Sequence, residues 1–197
     1  MTEEKQAPFP DPIETDRLLI RSPRPGDGIE VNQAIRESYS DLHEWMEWAS
    51  YIPEVAETEQ RKQEAQARFL AGEDFQVHAY LKTINVLVAV ATLHPLNWSV
   101  PSFEIGYWCR RGFQGQGYVT ETVRALTQVG LEVFEANRIQ ICCDERNIRS
   151  RRVAERAGYS LEAVLKNEQR APDGKLRNTL VFVVFPHTEQ IPSLIST

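Results

Sequence analysis

The spacing of apolar positions changes several times along the chain, and each change marks an element. Residues 1–12 (M-T-E-E-K-Q-A-P-F-P-D-P) show no periodicity and read as a flexible arm, and residues 17–21 (R-L-L-I-R) read as a first strand closed by Pro23 and Pro25. Asp27 stands where a helix cap belongs, ahead of a helix to about Tyr39, and residues 42–48 (L-H-E-W-M-E-W) continue helically. Trp45 and Trp48, three apart, share one face of that continuation, which points into the core on the first reading and edges a substrate cleft on the second. Beyond Pro53, the residues Thr58, Arg61, Ala65, Phe69 and Leu70 keep helical spacing in a strongly polar helix ending near Gly72, its charges expected in solvent.

From Phe75 the period falls to two. Residues 75–81 (F-Q-V-H-A-Y-L) alternate, 86–93 (V-L-V-A-V-A-T-L) form a β-rich run, and 102–109 (S-F-E-I-G-Y-W-C) make a third strand, so an antiparallel meander is predicted. A helix over about 116–135, a strand at 138–143, a short helix at 150–157 stopped by Gly158, and a strand at 159–165 come next. The hairpin signal Asp173-Gly174 then precedes a strand at 177–185. The order β α α β β β α β α β β, about seven strands and four helices, predicts a mixed sheet in an α/β (α+β) domain spanning 13–187, with a tail at 188–197.

Composition narrows the function. A chain of 197 residues with 42% hydrophobic content buries one substantial core and is short for two. The net charge of −6 leaves no basic stripe, so nucleic-acid binding is not expected. No apolar run approaches membrane-spanning length and the N-terminal stretch lacks a signal-peptide apolar region, so no membrane association is expected. Cys109, Cys142 and Cys143 lack zinc-ligand spacing and read as buried thiols of a reducing, cytoplasmic compartment. His43, His78, His94 and His187 offer no metal cluster, and the absence of G-x-S-x-G disfavours a serine hydrolase.

The stretch 110–121 (R-R-G-F-Q-G-Q-G-Y-V-T-E) carries candidate chemistry. Glycines at 112, 115 and 117 let the backbone approach a ligand, and the helix behind them has unpaired N–H groups at the positive end of its dipole, which suits an anion. The spacing matches neither G-x-G-x-x-G nor G-x-x-x-x-G-K-[ST], and on this stretch alone a plain strand-to-helix turn explains it equally well.

Read together, E-I-G-Y-W, Q-G-Q-G-Y and N-x-x-S-x-x-V-x-E-x-x-G-Y, in this order over about residues 15–185, closely resemble the GCN5-related N-acetyltransferase (GNAT) superfamily, and within it the RimJ/RimL branch. The resemblance implies a twisted, largely antiparallel sheet splayed at its middle, with acetyl-CoA inserted between strands 104–109 and 138–143. It implies pyrophosphate binding by Gln114, Gly115, Gln116, Gly117, Tyr118, Val119 and Thr120; Arg110 and Arg111 either add charge at the rim or form a solvated basic doublet. Tyr107, Trp108 and Cys109 would flank the pantetheine through their backbone, and Asn147 would reach it. Two positions depart from the family pattern: Val119 stands where Gly or Ala is usual, and Ala154 where many members carry a tyrosine acid. By the same resemblance Ser150 would donate to the departing thiolate; it also reads as a helix cap, and the two roles are compatible.

Acetyl transfer from a thioester to an amine needs a group that accepts the amine's proton and donors for the oxyanion. Glu104, a carboxylate in an apolar strand, is the leading base; its alternative is an ordinary outward-facing strand residue. Glu168 is a second carboxylate candidate, and His94, at a strand end, is a lesser one. The expected activity is N-acetylation by direct transfer from acetyl-CoA, with no metal, to the α-amine of a ribosomal protein or to a small amine such as a polyamine, amino sugar or antibiotic. An acyl-CoA-binding sensor without turnover is the alternative from another class. Homodimers are common in the RimL-like branch.

Overall fold

The computed structural model describes residues 8–186; the expected tail at 188–197, the first seven residues of the expected arm, and His187 lie outside them. Two short strands, β1 (Ile13–Glu14) and β2 (Leu18–Arg21), precede helices α1 (Gly28–Trp45) and α2 (Val55–Ala71). Strands β3 (Phe75–Leu81), β4 (Val86–Asn97) and β5 (Ser102–Cys109) follow, then α3 (Tyr118–Glu132), β6 (Arg138–Asp144), α4 (Ile148–Ala157), β7 (Ser160–Arg170) and β8 (Leu176–Val184). All eight strands join one sheet in the order β1-β2-β3-β4-β5-β6-β8-β7. The meander is antiparallel as expected, and the only parallel pair among the described strands is β5 with β6.

Apolar side chains on the two faces of the sheet make two cores. On one face, Val123, Leu126 and Val129 of α3 pack on Val77, Ala91, Leu93, Phe103, Ile139 and Ile141. On the other, Val31, Ala34, Ile35 and Leu42 of α1 cover Tyr80, Leu87 and Val90. Gly72 and Gly158 end α2 and α4 in left-handed caps, where their sequence positions put them. Gly28 lies where α1 crosses α2, and a Cβ there would come within 2.5 Å of the Glu59 Cα.

Four expectations change in three dimensions. Residues 8–12 are not loose: Phe9 stacks 5.3 Å from Phe75 and meets Phe69 edge-on, and the Asp11 carboxylate accepts from Ser22 N–H at 3.0 Å. Asp27 stands at the N-cap of α1 as expected, but its side chain makes no cap bond; its carboxylate is held by Arg21 at 2.7 and 2.8 Å, by His78 Nδ1 at 3.0 Å and by Arg24 N–H. Burial opposes ionisation there, yet these bonds hold its carboxyl well below the usual range. The helix carrying Trp45 breaks at Met46, which is extended, so Trp48 sits on a separate turn (Glu47–Ala49) and neither indole is buried in the core. Finally, α2 starts at Val55, three residues before Thr58, and its Arg61 and Lys62 line a cavity rather than only facing solvent.

Candidate active site

The site begins where β5 and β6 part. Their ladder contains Ser102–Arg138, Phe103–Ile139 and Glu104–Gln140, and beyond Glu104 the strands diverge while β5 stays paired with β4 through Cys109. The backbone groups of residues 105–109 facing β6 are therefore left without a strand partner, an edge that an extended ligand can join. Two cavities open on this gap. One, of about 490 Å³, runs along the loop before α3 and the start of α4; the other, of about 370 Å³, lies between α1, α2 and the sheet. Trp45, Met46, Tyr107, Trp108, Asn147 and Ser150 line both, so the cavities meet there.

The larger cavity has the features of an anion site. Gly115 and Gly117 have φ of +75° and +83°, and Gly117 starts α3 from the left-handed region. No backbone N–H from 115 to 120 finds an acceptor among the described residues, and no side chain caps the helix. The Thr120 hydroxyl is buried and unpartnered at the same place. Such a row of convergent donors fits a diphosphate. Gln114, Gly115, Gly117, Tyr118, Val119 and Thr120 line this cavity, as do Cys109 and the junction residues. The Val119 side chain packs into the core, so its β-branch does not obstruct its N–H.

Two of the sequence-predicted residues stand elsewhere. Arg110 is buried against α1, where both its Nε and Nη2 donate to Glu37 at 2.6 Å, so its charge is spent inside the protein. The Gln116 side chain bends back to the Gly112 carbonyl, while its own carbonyl accepts from Arg17. The rim cations come instead from α4: Arg149, Arg152 and Arg156, spaced three and four apart and so on one helical face. That spacing was visible in R-S-R-R-V-A-E-R and is the signal that would have found them.

At the junction, Asn147 caps α4 by accepting the Ser150 N–H at 3.0 Å, which fixes Ser150 at the mouth of both cavities. Tyr107 crosses the gap from β5 to meet it, its hydroxyl lying 2.9 Å from Ser150 Oγ and 3.1 Å from the Ser150 carbonyl. Burial pushes the Tyr107 phenol well above its usual value, so it stays protonated. Sequence reasoning gave Tyr107 only a backbone role and missed this side chain. Ala154, the position of the missing tyrosine, is fully buried in the α4 packing face.

The smaller cavity contains Glu104, one of whose oxygens accepts from Gln140 Nε2 at 2.7 Å. Beside it the Cys142 thiol is pushed up to about 12, mainly by burial and further by the Glu104 charge. Glu168 and His94 line neither cavity: Glu168 accepts from Thr179 Oγ1 at 2.8 Å, and His94 is exposed and paired with Asp74. Trp45, Trp48 and Trp108 line this cavity, so Trp45 and Trp48 edge a cleft rather than point into the core. Arg61, Lys62, Asp144 and Arg177 complete the charged lining, where solvent had been expected around the α2 charges. No cluster of potential metal ligands occurs among the described residues, and none of the described helices is long and apolar enough to cross a membrane.

Comparison with known proteins gives this geometry its context. The family described as "Acetyltransferase (GNAT) domain" matches residues 17–160. A Bacillus subtilis (strain 168) relative named "Putative ribosomal N-acetyltransferase YdaF" is 29% identical over 144 residues, covering 73% of this chain and 78% of its own. The Escherichia coli (strain K12) ribosomal-protein-serine acetyltransferase is 34% identical over 83 residues, 42% of this chain and 45% of its own. Among solved structures, RimL, a ribosomal L7/L12 α-N-protein acetyltransferase in complex with coenzyme A, superimposes with a TM-score of 0.79 at 21% identity over 90% of this chain and 97% of its own. The microcin C7 self-immunity acetyltransferase MccE, in complex with acetyl-CoA and AMP, also reaches 0.79, at 19% identity over 87% and 93% of the two chains. With the family match spanning most of the chain and the overall fold shared with these structures, the chain belongs to the GNAT acetyltransferase family and is an acetyl-CoA-dependent N-acetyltransferase.

Proposed function

We propose that this enzyme acetylates the α-amine of a protein N-terminus, a ribosomal protein in the first instance, by direct attack on acetyl-CoA in a ternary complex. The observation that carries the reading is the meeting of two cavities at Tyr107, Trp108, Asn147 and Ser150. A donor lying along one and an acceptor entering by the other bring their reacting atoms together there. The relatives named as ribosomal-protein acetyltransferases support a protein acceptor. The free thiols Cys109, Cys142 and Cys143 are consistent with a cytoplasmic setting.

In this reading the N–H groups of 115–120 and the Thr120 hydroxyl hold the diphosphate, with the α4 arginines around it. The open edge of β5 at 105–109 carries the pantetheine arm, and Asn147 orients the start of α4 against it. Glu104, in the smaller cavity, accepts the amine's proton through water as the nitrogen attacks. Ser150 supplies the hydrogen bond to the departing sulfur. Because Tyr107 stays protonated and can donate to Ser150 Oγ, the serine's own proton is left for the sulfur, and the phenol missing at Ala154 is replaced by one reaching across from β5.

The cavity of about 370 Å³ is at the small end of ligand pockets, which also suits a small amine as acceptor. Product analysis decides between the two. The enzyme is incubated with acetyl-CoA, peptides with free or blocked α-amines, and small amines, and the acetylated position is found by mass spectrometry. Acetylation of free α-amines is the expected result, and acetylation of small amines alone would exclude the protein-acceptor reading.

A further inference from the structure

We infer that Lys62 forms a subsite for a carboxylate carried by the acceptor close to its reacting amine, an inference that rests on the smaller cavity being the acceptor site. The charged residues lining that cavity are Arg61, Lys62, Arg177, Glu104 and Asp144. Two of them are already neutralised within the protein: Arg61 pairs with Glu57, and Asp144 is held by Arg146 at 2.6 Å. Glu104 is reserved for the amine. Arg177 from β8 forms no ion pair but stands near enough to Asp144 to help lower its carboxyl. What remains is Lys62 from α2, which has no carboxylate partner among the described residues. Lys62 donates to the neutral Gln76 side chain and Arg177 to that of Gln169. The acidic group that Lys62 senses from a distance, Asp27, has its oxygens taken by Arg21, His78 and Arg24 N–H.

A protein that gained only packing from position 62 would be better served by an apolar residue. Burial, with help from the Arg61 and Arg68 charges, brings the Lys62 ammonium down to about 8, a cost that the distant Asp27 charge only partly offsets. Charges kept at such cost in a cavity wall are characteristic of ligand sites. With Glu104 in the same space, the residual charges match a group that is cationic at one end and anionic at the other. Two sources supply that chemistry: an acidic side chain early in a protein N-terminus, or the free α-carboxylate of a single amino acid or dipeptide.

The test measures equilibrium binding to the CoA-loaded protein by the fluorescence of the cavity tryptophans. Ser-Glu-Ala-amide is compared with Ser-Gln-Ala-amide, and the dipeptide Ser-Gln with its amide, on the wild type, Lys62→Met and Arg177→Gln. A charge-assisted hydrogen bond to Lys62 gives the acid an advantage of about tenfold over its neutral partner in at least one pair; Lys62→Met brings that ratio toward one and Arg177→Gln leaves it in place. The pair that shows it identifies the source of the carboxylate. Equal binding of acid and amide in both pairs, or a preference that survives Lys62→Met, overturns the inference. Selective binding of the acid without acetylation of any amine would leave the subsite standing and remove the proposed reaction.

Discussion

Replacing Lys62 by methionine should make the ligand-free protein more stable, because the ammonium is held in the cavity wall against its hydration. The shift from 10.5 to about 8 corresponds to about 3 kcal/mol of unfavourable folding free energy at pH 7. Methionine keeps the apolar stem and removes that cost, while Gln76 Oε1 loses its donor at about 1 kcal/mol. The net gain is about 2 kcal/mol, or about 4–8 °C in Tm for a domain of this size. The sign of the pH dependence follows from linkage. Between pH 8 and 10.5 the unfolded chain binds more protons at this lysine than the folded one, so wild-type stability rises with pH there and the advantage of Lys62→Met closes. Urea unfolding followed by tryptophan fluorescence at pH 7 and pH 10, taken as the difference between variant and wild type, reads the effect free of other titrating groups. A variant less stable than the wild type at pH 7, or a gap that does not change with pH, would show that Lys62 is paired in solution and would refute the reasoning.

Tyr107→Phe should lower kcat about tenfold, the worth of one hydrogen bond in the transition state, with acetyl-CoA affinity unchanged; in a Ser150→Ala background it should cost little more, whereas additive losses in the double variant would separate the phenol from the serine. Gly117→Val places a β-branched residue at φ +83°, so the loop must move, and acetyl-CoA binding by calorimetry should weaken about tenfold or more; unchanged affinity would exclude this backbone from the diphosphate site. Asp27→Asn breaks the Arg21 and His78 bonds and should destabilise the fold by about 3 kcal/mol near neutrality. Because the folded carboxyl titrates below its ordinary 3.8, that contribution is full above this value and disappears as pH falls through the lower folded value; a wild-type-to-variant gap constant down to pH 2 would contradict it.

Local signals were legible in the chain. Period-two runs gave β3, β4 and β5, Gly72 and Gly158 gave two helix ends, Asp173-Gly174 gave the final hairpin, and the glycines at 115 and 117 marked a helix start with free donors. What escaped depends on which elements face each other. Periodicity assigned Trp45 and Trp48 to one face, but the break at Met46 and the gap between β5 and β6 make that face a cleft wall. The polar pattern of α2 suggested solvent because Arg61 and Lys62 look alike whether they meet water or a cavity. Arg110 seemed a rim cation until α1 supplied Glu37 from 73 residues away, and the Tyr107 side chain finds Ser150 43 residues on. Spacing along one element reports which residues share a face and is silent about the partner across a long-range contact.

The reading of the cavity junction as the place where acetyl transfer occurs is tested most directly by Glu104→Gln. Release of free CoA is followed at neutral pH with acetyl-CoA and a panel of peptides bearing free α-amines, and acetyl-CoA binding is measured alongside. Wild-type protein should release CoA only when an amine is present, and the variant should bind acetyl-CoA as tightly while turning over at least about tenfold more slowly. Tight binding with no amine-dependent release from the wild type, or unchanged turnover in Glu104→Gln, would contradict the account.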